Sequence, residues 1–432
     1  MSDLKRVLIL GTGPTSIQLA VNLKKQLDCY IGIAGRKSVR SDTFFSALDQ
    51  SNHLVRVSIQ NEKHLAMKGE CIIDQVFNRY EMIEGEWDTI ILSVTTDAYI
   101  EVIKQISNVV LKKVKCIVLI SPTFGSNYLI QNYMNQSKSN AEIISYSTYY
   151  GDTRWMYDKP SNHVLTTAVK KKIFIGSTDD QSKNVEILYK VYGQIGIALE
   201  VMDSPLEAET RNISLYVHPP LFMNDFSLNA IFGELNNKRY VYKIYPEGPI
   251  TQYLIRDMLA QWKEMMHVLE KINIKGINLL KFMTDDNYPI RVDSLSRHDI
   301  ENFTYLDTIH QEYLLYIRYT SLLIDPFSEP DKDGRYFDFS AVPIKKMFVN
   351  REGDLDIPRM PKEDYYRIKI IQGIAKYLNL DCPTTDKFIK TYESKIKEVA
   401  QFHENQTLSN AFVVQSFAED LNMICTEIGR SI

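Results

Sequence analysis

No stretch of the chain restricts its fold as much as the first forty residues. Arg6-Val7-Leu8-Ile9-Leu10 is a short apolar run that reads as a buried strand. Gly11-Thr12-Gly13-Pro14-Thr15-Ser16 follows, and Ile17-Gln18-Leu19-Ala20-Val21-Asn22-Leu23 then carries apolar residues at helical spacing. Strand, glycine turn and helix together form the context in which G-x-G-x-x-G/A acts as a dinucleotide fingerprint. The first glycine permits a tight turn and the second lets the backbone approach a pyrophosphate. The helix N-terminus offers free N–H groups and a partial positive charge to the phosphates. The third position is Ser16, small but not glycine.

The second strand, Cys29-Tyr30-Ile31-Gly32-Ile33-Ala34, ends in Gly35-Arg36-Lys37-Ser38-Val39-Arg40. An NAD site places Asp or Glu here to accept hydrogen bonds from the ribose 2′-OH. This chain has cations and a serine instead, which points to a 2′-phosphate and hence to NADPH/NADP+. Arg36, Lys37 and Ser38 are the expected ligands, with Arg40 a weaker one; the competing reading is a solvated basic turn.

Residues 1 to 203 alternate strand and helix patterns. Leu54 to Ile59 alternates like an exposed strand, and Cys71 to Ile73 is a possible partner for it. Trp87 to Val94 and Cys116 to Ser121 are continuous apolar strands, and such strands separated by helices imply a parallel sheet covered on both faces. Ligands bind beyond the carboxyl ends of such strands, so Ser93, Thr95 and Pro122 are expected to line the cofactor. Ile143 to Trp155 reads as a last strand running into a polar, aromatic loop; Tyr150 and Arg154 in that loop are candidate substrate contacts. His163 to Ala168 and Lys172 to Gly176 read as a hairpin, with Lys170-Lys171-Lys172 as its exposed turn.

From Ser204 the pattern becomes mostly helical. Ser204-Pro205-Leu206-Glu207 is a capping box with proline at the first helical position. The helix is expected to run through Val217 and stop at Pro219. Further helical patterns cover Ile250 to Ile272, Ile300 to Ile324, Pro361 to Leu378, Thr385 to Phe402 and Ser409 to Ile428. The expected fold is therefore α/β: a Rossmann-type parallel-sheet domain over 1–203, then an α-helical substrate domain over 204–432.

A net charge of −4 argues against general nucleic-acid binding. The five cysteines have no metal-like spacing and three lie in predicted strands, so a reduced, cytoplasmic protein with no resident metal is expected. No apolar run approaches the ~18 residues that span a bilayer.

A nicotinamide enzyme needs a proton donor or acceptor opposite the hydride. Of eight histidines, His218 stands apart. It lies among apolar residues in Leu215-Tyr216-Val217-His218-Pro219-Pro220, where the following proline pushes it out of the α region and a helix C-terminus would stabilise its imidazolium. A histidine titrating near neutrality suits acid–base work; a satisfied structural histidine is the alternative.

Asn212-Ile213-Ser214-Leu215-Tyr216-Val217-His218-Pro219, opening a helical second half after the N-terminal fingerprint, resembles the opine dehydrogenases. Val292 to Arg297, Tyr316 to Phe327 and Asp338 to Pro343 resemble the branch that makes opine metallophores. That resemblance implies NADPH-dependent reductive condensation of a 2-oxo acid, pyruvate in the member of the branch it looks most like, with a nicotianamine-like, histidine-derived amine. An imine forms with loss of water and is reduced to a secondary amine; the product, not the enzyme, is the chelator. It implies His218 as the acid–base residue and Asn212 as a second site residue. It also implies an arginine that holds a substrate carboxylate, falling on Arg318, and an aspartate that orients the histidine, falling on Asp325, with a homodimer as the expected assembly. An ordinary opine or 2-hydroxy-acid dehydrogenase and a non-catalytic NADP(H)-binding sensor are the alternatives.

Overall fold

The computed structural model describes residues 4–157, 159–233, 238–285, 287, 290–291, 293–322, 330, 332–334 and 338–431. Two compact units emerge: Met1–Asn212 with Glu419–Ile432, and Ile213–Ala418. The division follows Asn212 rather than residue 203, and the last helix returns to the first unit.

The first unit begins with β1 (Arg6–Leu10), α1 (Pro14–Leu27), β2 (Tyr30–Ala34) and α2 (Val39–Gln50). It continues through β3 (Leu54–Ile59), β4 (Gly69–Ile72), β5 (Gln75–Phe77), β6 (Thr89–Leu92), α3 (Tyr99–Lys104), α4 (Asn108–Leu111), β7 (Cys116–Leu119), α5 (Ser126–Gln136) and β8 (Glu142–Tyr146). β9 (Gly151–Trp155), β10 (His163–Val169), β11 (Lys172–Ser177), α6 (Lys183–Gln194), β12 (Ala198–Val201) and α7 (Pro205–Thr210) complete it. The main sheet has the order β12-β11-β8-β7-β6-β1-β2-β5. The six strands from β8 to β5 are parallel, and β11 joins β8 antiparallel. The parallel core expected from the continuous apolar strands is present, and β4 pairs with β3 as the pattern allowed.

The expected hairpin between His163 and Gly176 does not form. β10 pairs with β9 and β3 in a second, four-stranded sheet, whereas β11 pairs with β8 and β12 in the main one. Both segments alternate or run apolar, so each satisfies a sheet, and local pattern does not say which. Helix α1 packs against strands of both sheets, which explains its buried polar residues. Gln18 donates to Met67 O at 3.2 Å and accepts from Thr166, and Asn22 donates to the Tyr150 hydroxyl at 2.8 Å.

Helix α7 belongs to this unit because of Glu209, which is fully buried. Its carboxylate accepts the Gly125 and Asn127 N–H groups at 2.9 and 2.7 Å and the Ser145 hydroxyl at 2.8 Å, tying α7 to the start of α5 and the end of β8.

The second unit contains α8 (Ser214–Phe222), α9 (Asp225–Phe232), α10 (Gln252–Lys271), α11 (Leu279–Thr284), α12 (Arg297–Asn302) and α13 (Thr308–Thr320). A ribbon of β13 (Phe348–Val349) and β14 (Leu355–Asp356) leads to α14 (Arg359–Tyr377) and α15 (Pro383–Phe402). Helix α8 packs on α10 and α14, and α10 also meets α13 and α15. The single helix expected over Ile300 to Ile324 is two, because Asp307 caps a new start by accepting the His310 N–H at 3.0 Å. Finally α16 (Ala418–Ser431) carries the chain back to the first unit, where Glu427 accepts from buried Asn132 at 2.7 Å. No helix among the described residues is long and apolar enough to cross a membrane.

Candidate active site

The first unit supplies a dinucleotide platform. Gly11 has φ +130°, and a Cβ there would stand 2.5 Å from Ser93 O, so β1 and β6 approach through a position only glycine fills. Gly13 differs: its φ of −84° is ordinary and a Cβ would meet nothing within 4 Å. The space in front of Gly13 is open, no side chain caps α1, and its first turn carries no acid. Pro14 occupies the first turn, where its missing N–H costs nothing. These features fit a pyrophosphate at the N-terminus of α1. Thr12 lies against Gly35, where a Cβ would clash with its methyl at 2.3 Å, and Thr15 is half-buried in the first turn. Ser16 is buried and donates to Ser93 Oγ at 3.2 Å, which is what the third fingerprint position does: it packs helix against strand end.

At the end of β2, Arg36 and Lys37 are exposed. Ser38 caps α2: its hydroxyl accepts the Ser41 N–H at 3.2 Å, and Ser41 Oγ donates to Arg36 O at 2.5 Å. The basic turn is thus held rigid beside a second helix N-terminus, a fit for a 2′-phosphate. The Arg40 side chain lies outside the described residues. Ser93 and Thr95 follow β6, half-buried and exposed, and buried Pro122 follows β7.

Two expected substrate contacts sit elsewhere in this unit. Tyr150 is a core residue, 1% exposed, packed on Tyr149 and Tyr192. Arg154 is exposed on β9 and bonded to Asp152 and Thr167, at 3.1 and 3.2 Å. Neither placement favours substrate contact: one side chain has no free face, and the other's charge is matched by its neighbour.

The second unit contains His218, the expected acid–base residue. The helix carrying His218 does not stop at Pro219. Helix α8 runs on to Phe222 with Pro219 and Pro220 inside it. Proline at 219 removes the N–H that would serve the Leu215 carbonyl, and Gln261 of α10 donates to that oxygen instead, at 3.3 Å. Nor does one helix join Asn212 to His218. Helix α7 ends at Thr210 and α8 starts at Ser214, leaving Asn212 buried in the intervening link.

What holds His218 is therefore not a helix end but a buried acid. His218 Nδ1 stands 3.4 Å from Asp364 Oδ1, and the Asp364 side chain is wholly buried. Arg367 Nη1 donates to the same oxygen at 2.7 Å, while Arg367 also bonds Glu363, which in turn pairs with Arg359. Burial would raise the Glu363 pKa, but the Arg367 and Arg359 guanidinia hold it at about 2. Phe222, one turn on from His218, packs edge-on to the imidazole at 5.3 Å. Nδ1 has no solvent contact although the side chain is 18% exposed, so the accessible edge of the ring is the one carrying Nε2. Asp364 lies at ion-pair distance from Nδ1 without a hydrogen bond to it, which leaves Nε2 as the nitrogen open to proton exchange.

Sequence reading missed Asp364, Glu363 and Arg367. The signal was three charges on the helix face that continues as Ile368, Ile371, Ile374 and Ala375, all buried. Asp325, the expected orienting acid, lies outside the described residues. Arg318 is not a surface cation: it is 4% exposed on α13, and its Nε donates to Met283 O at 2.6 Å.

The chain matches the family model described as staphylopine dehydrogenase over residues 5–428. It is 45% identical to staphylopine synthase of Staphylococcus aureus, over 99% of this chain and 100% of that one. It is 32% identical to pseudopaline synthase of Pseudomonas aeruginosa, over 91% and 90%. Among solved structures, NADP+-bound yersinopine dehydrogenase superposes with a TM-score of 0.92 at 27% identity, over 100% of both chains.

Proposed function

Because the chain belongs to the staphylopine dehydrogenase family, we propose that it condenses the amine of a nicotianamine-like, histidine-derived intermediate with pyruvate and reduces the imine to an opine metallophore. The observation that carries the reading is His218 held through Nδ1 by buried Asp364, 3.4 Å away. An acid–base residue so fixed is needed by a dehydrogenase and not by a sensor.

NADPH, when bound, supplies the hydride. The open space before Gly13 and the uncapped N-terminus of α1 support the pyrophosphate site. The exposed Arg36 and Lys37, beside the Ser38 cap, support selection of the 2′-phosphate.

The condensation needs proton transfers at one position. The amine must lose a proton to attack the carbonyl carbon, and the carbinolamine hydroxyl must gain one to leave as water. His218 Nε2 serves both: it accepts in the first step and donates in the second. Asp364, whose carboxylate oxygen also accepts from Arg367, faces the imidazolium formed between the two steps. Buried Arg318 is kept as the clamp for a substrate carboxylate, its guanidinium plane set by the Met283 carbonyl.

Mass spectrometry of the product formed from NADPH, pyruvate and a panel of amines tests the reading. A secondary amine from the histidine-derived amine is expected. Turnover of pyruvate alone to lactate would sink it.

A further inference from the structure

Lys170 lies in the short connection from β10 to β11, and its surroundings are unusual for a surface turn. Its backbone N–H donates to Tyr150 O at 2.7 Å, and its ammonium donates to Thr148 Oγ1 at 3.1 Å. Both partners belong to the segment leaving the carboxyl end of β8. That segment is rigid. Ser147 exchanges bonds with Phe174 at 2.9 and 3.1 Å, and the Tyr149 N–H donates to Ser121 Oγ at 3.1 Å, beyond the end of β7. The Tyr149 hydroxyl bonds Thr153 Oγ1 at 2.8 Å.

Lys170 is thus held at the carboxyl ends of β7 and β8, the half of a dinucleotide sheet that serves the nicotinamide. β8 is three strands from β1, roughly 14 Å at ordinary strand spacing. The phosphate positions lie on β1 and, further out, on β2.

The ammonium has lost water without gaining a counter-charge. Burial lowers its pKa to about 8, with no acid acting on it. Among the described residues no carboxylate pairs with it. Asp152, opposite Ala168 in the ladder, is taken by Arg154 and by Thr167 at 2.6 Å. A desolvated cation is costly unless an anion completes it. Lys170 as a residue is half-buried, so its surroundings are not closed on every side. Thr148 donates no better than a 3.4 Å bond to the Tyr149 carbonyl, which leaves its hydroxyl able to turn to a ligand.

We propose that Lys170 and Thr148 form a carboxylate-binding subsite for a substrate, distinct from the phosphate contacts of the cofactor. The identity of the ligand rests on the condensation proposed above; the site itself does not. Two carboxylates have this chemistry, that of the 2-oxo acid and that of the amine.

Lys170→Met, Lys170→Arg and Thr148→Val test it, through KM for pyruvate, KM for the amine, and NADPH affinity by fluorescence titration. Oxalate binding by calorimetry in the presence of NADP+ gives a readout without turnover. Lys170→Met should raise one KM by about ten- to a hundredfold, with NADPH affinity unchanged and oxalate binding lost. Lys170→Arg should retain most of the wild-type behaviour, and Thr148→Val should move the same KM by less. A change in the pyruvate KM assigns the 2-oxo acid, and a change in the amine KM assigns the amine. If the wild type forms no opine yet binds oxalate through Lys170, the subsite stands and the condensation falls. Oxalate affinity and both KM values unchanged in Lys170→Met, or a matching loss of NADPH affinity, would overturn the subsite. Should Lys170→Met not fold, the Arg and Thr148→Val variants decide between the same outcomes.

Discussion

His218 Nδ1 and Asp364 Oδ1 stand 3.4 Å apart, with the carboxylate wholly buried and the imidazole partly open. In the proposed reaction the buried partner orients and the open one exchanges protons. His218→Ala is expected to lower kcat by about 10²–10⁴ with little change in fold, since general acid–base catalysis contributes about that much. Asp364→Asn acts differently. It leaves the Arg367 guanidinium and its neighbours with an unbalanced buried charge, a loss on the order of 3–5 kcal/mol. A lowered thermal midpoint should accompany the lost turnover. Equal thermal midpoints for wild type and Asp364→Asn would contradict the buried pairing.

Cofactor selection should reside in two exposed side chains. Arg36 and Lys37 flank a turn that Ser38 and Ser41 hold rigid, so replacing both by Ala removes charge without altering the loop. KM for NADPH should rise by about tenfold or more, one charge-assisted bond being worth about 1.5–3 kcal/mol, while KM for NADH stays nearly fixed. Equal effects on the two cofactors would assign the turn to solvent.

The two fingerprint glycines predict opposite phenotypes. Gly11→Ala forces a Cβ to 2.5 Å from the Ser93 carbonyl at φ +130°. It should destabilise the first unit, read as an earlier urea midpoint. Gly13→Ala meets nothing within 4 Å and keeps an ordinary φ, so its urea midpoint should match wild type while NADPH affinity falls. Measuring both midpoints and both affinities separates the glycine that shapes the fold from the one that admits the ligand.

The cofactor platform was legible because it is local: strand, turn and helix lie within one stretch, and the cations follow at the end of the next strand. His218 stood out in the sequence by its apolar setting, but the helix C-terminus expected beside it is not what the structure places there. Helix α8 continues through Pro219 and Pro220 because Gln261, from another helix, serves the freed Leu215 carbonyl. Asp364 comes from a helix well over a hundred residues further on, and no local pattern links it to His218. The same limit hid the separation of β10 from β11. Each is a plausible strand, and only the tertiary partners, β3 and β9 for one and β8 and β12 for the other, decide the sheet.

Glu363 gives the cluster around His218 an acid limit. Its pKa is held at about 2 in the folded protein by Arg367 and Arg359, against the burial that would raise it. An unfolded glutamate titrates near 4.3. Because the folded value is the lower one, the contribution to stability is complete above the unfolded value and disappears as pH falls toward about 2. A shift of this size is worth on the order of 3 kcal/mol. Urea midpoints measured from pH 7 down to pH 3 should therefore fall steeply below about pH 4.5 in the wild type. Glu363→Gln should be less stable at pH 7, having taken one acid from Arg359 and from Arg367, yet show a flatter profile through the acid window. Parallel profiles for the two proteins would remove Glu363 from the account of acid sensitivity.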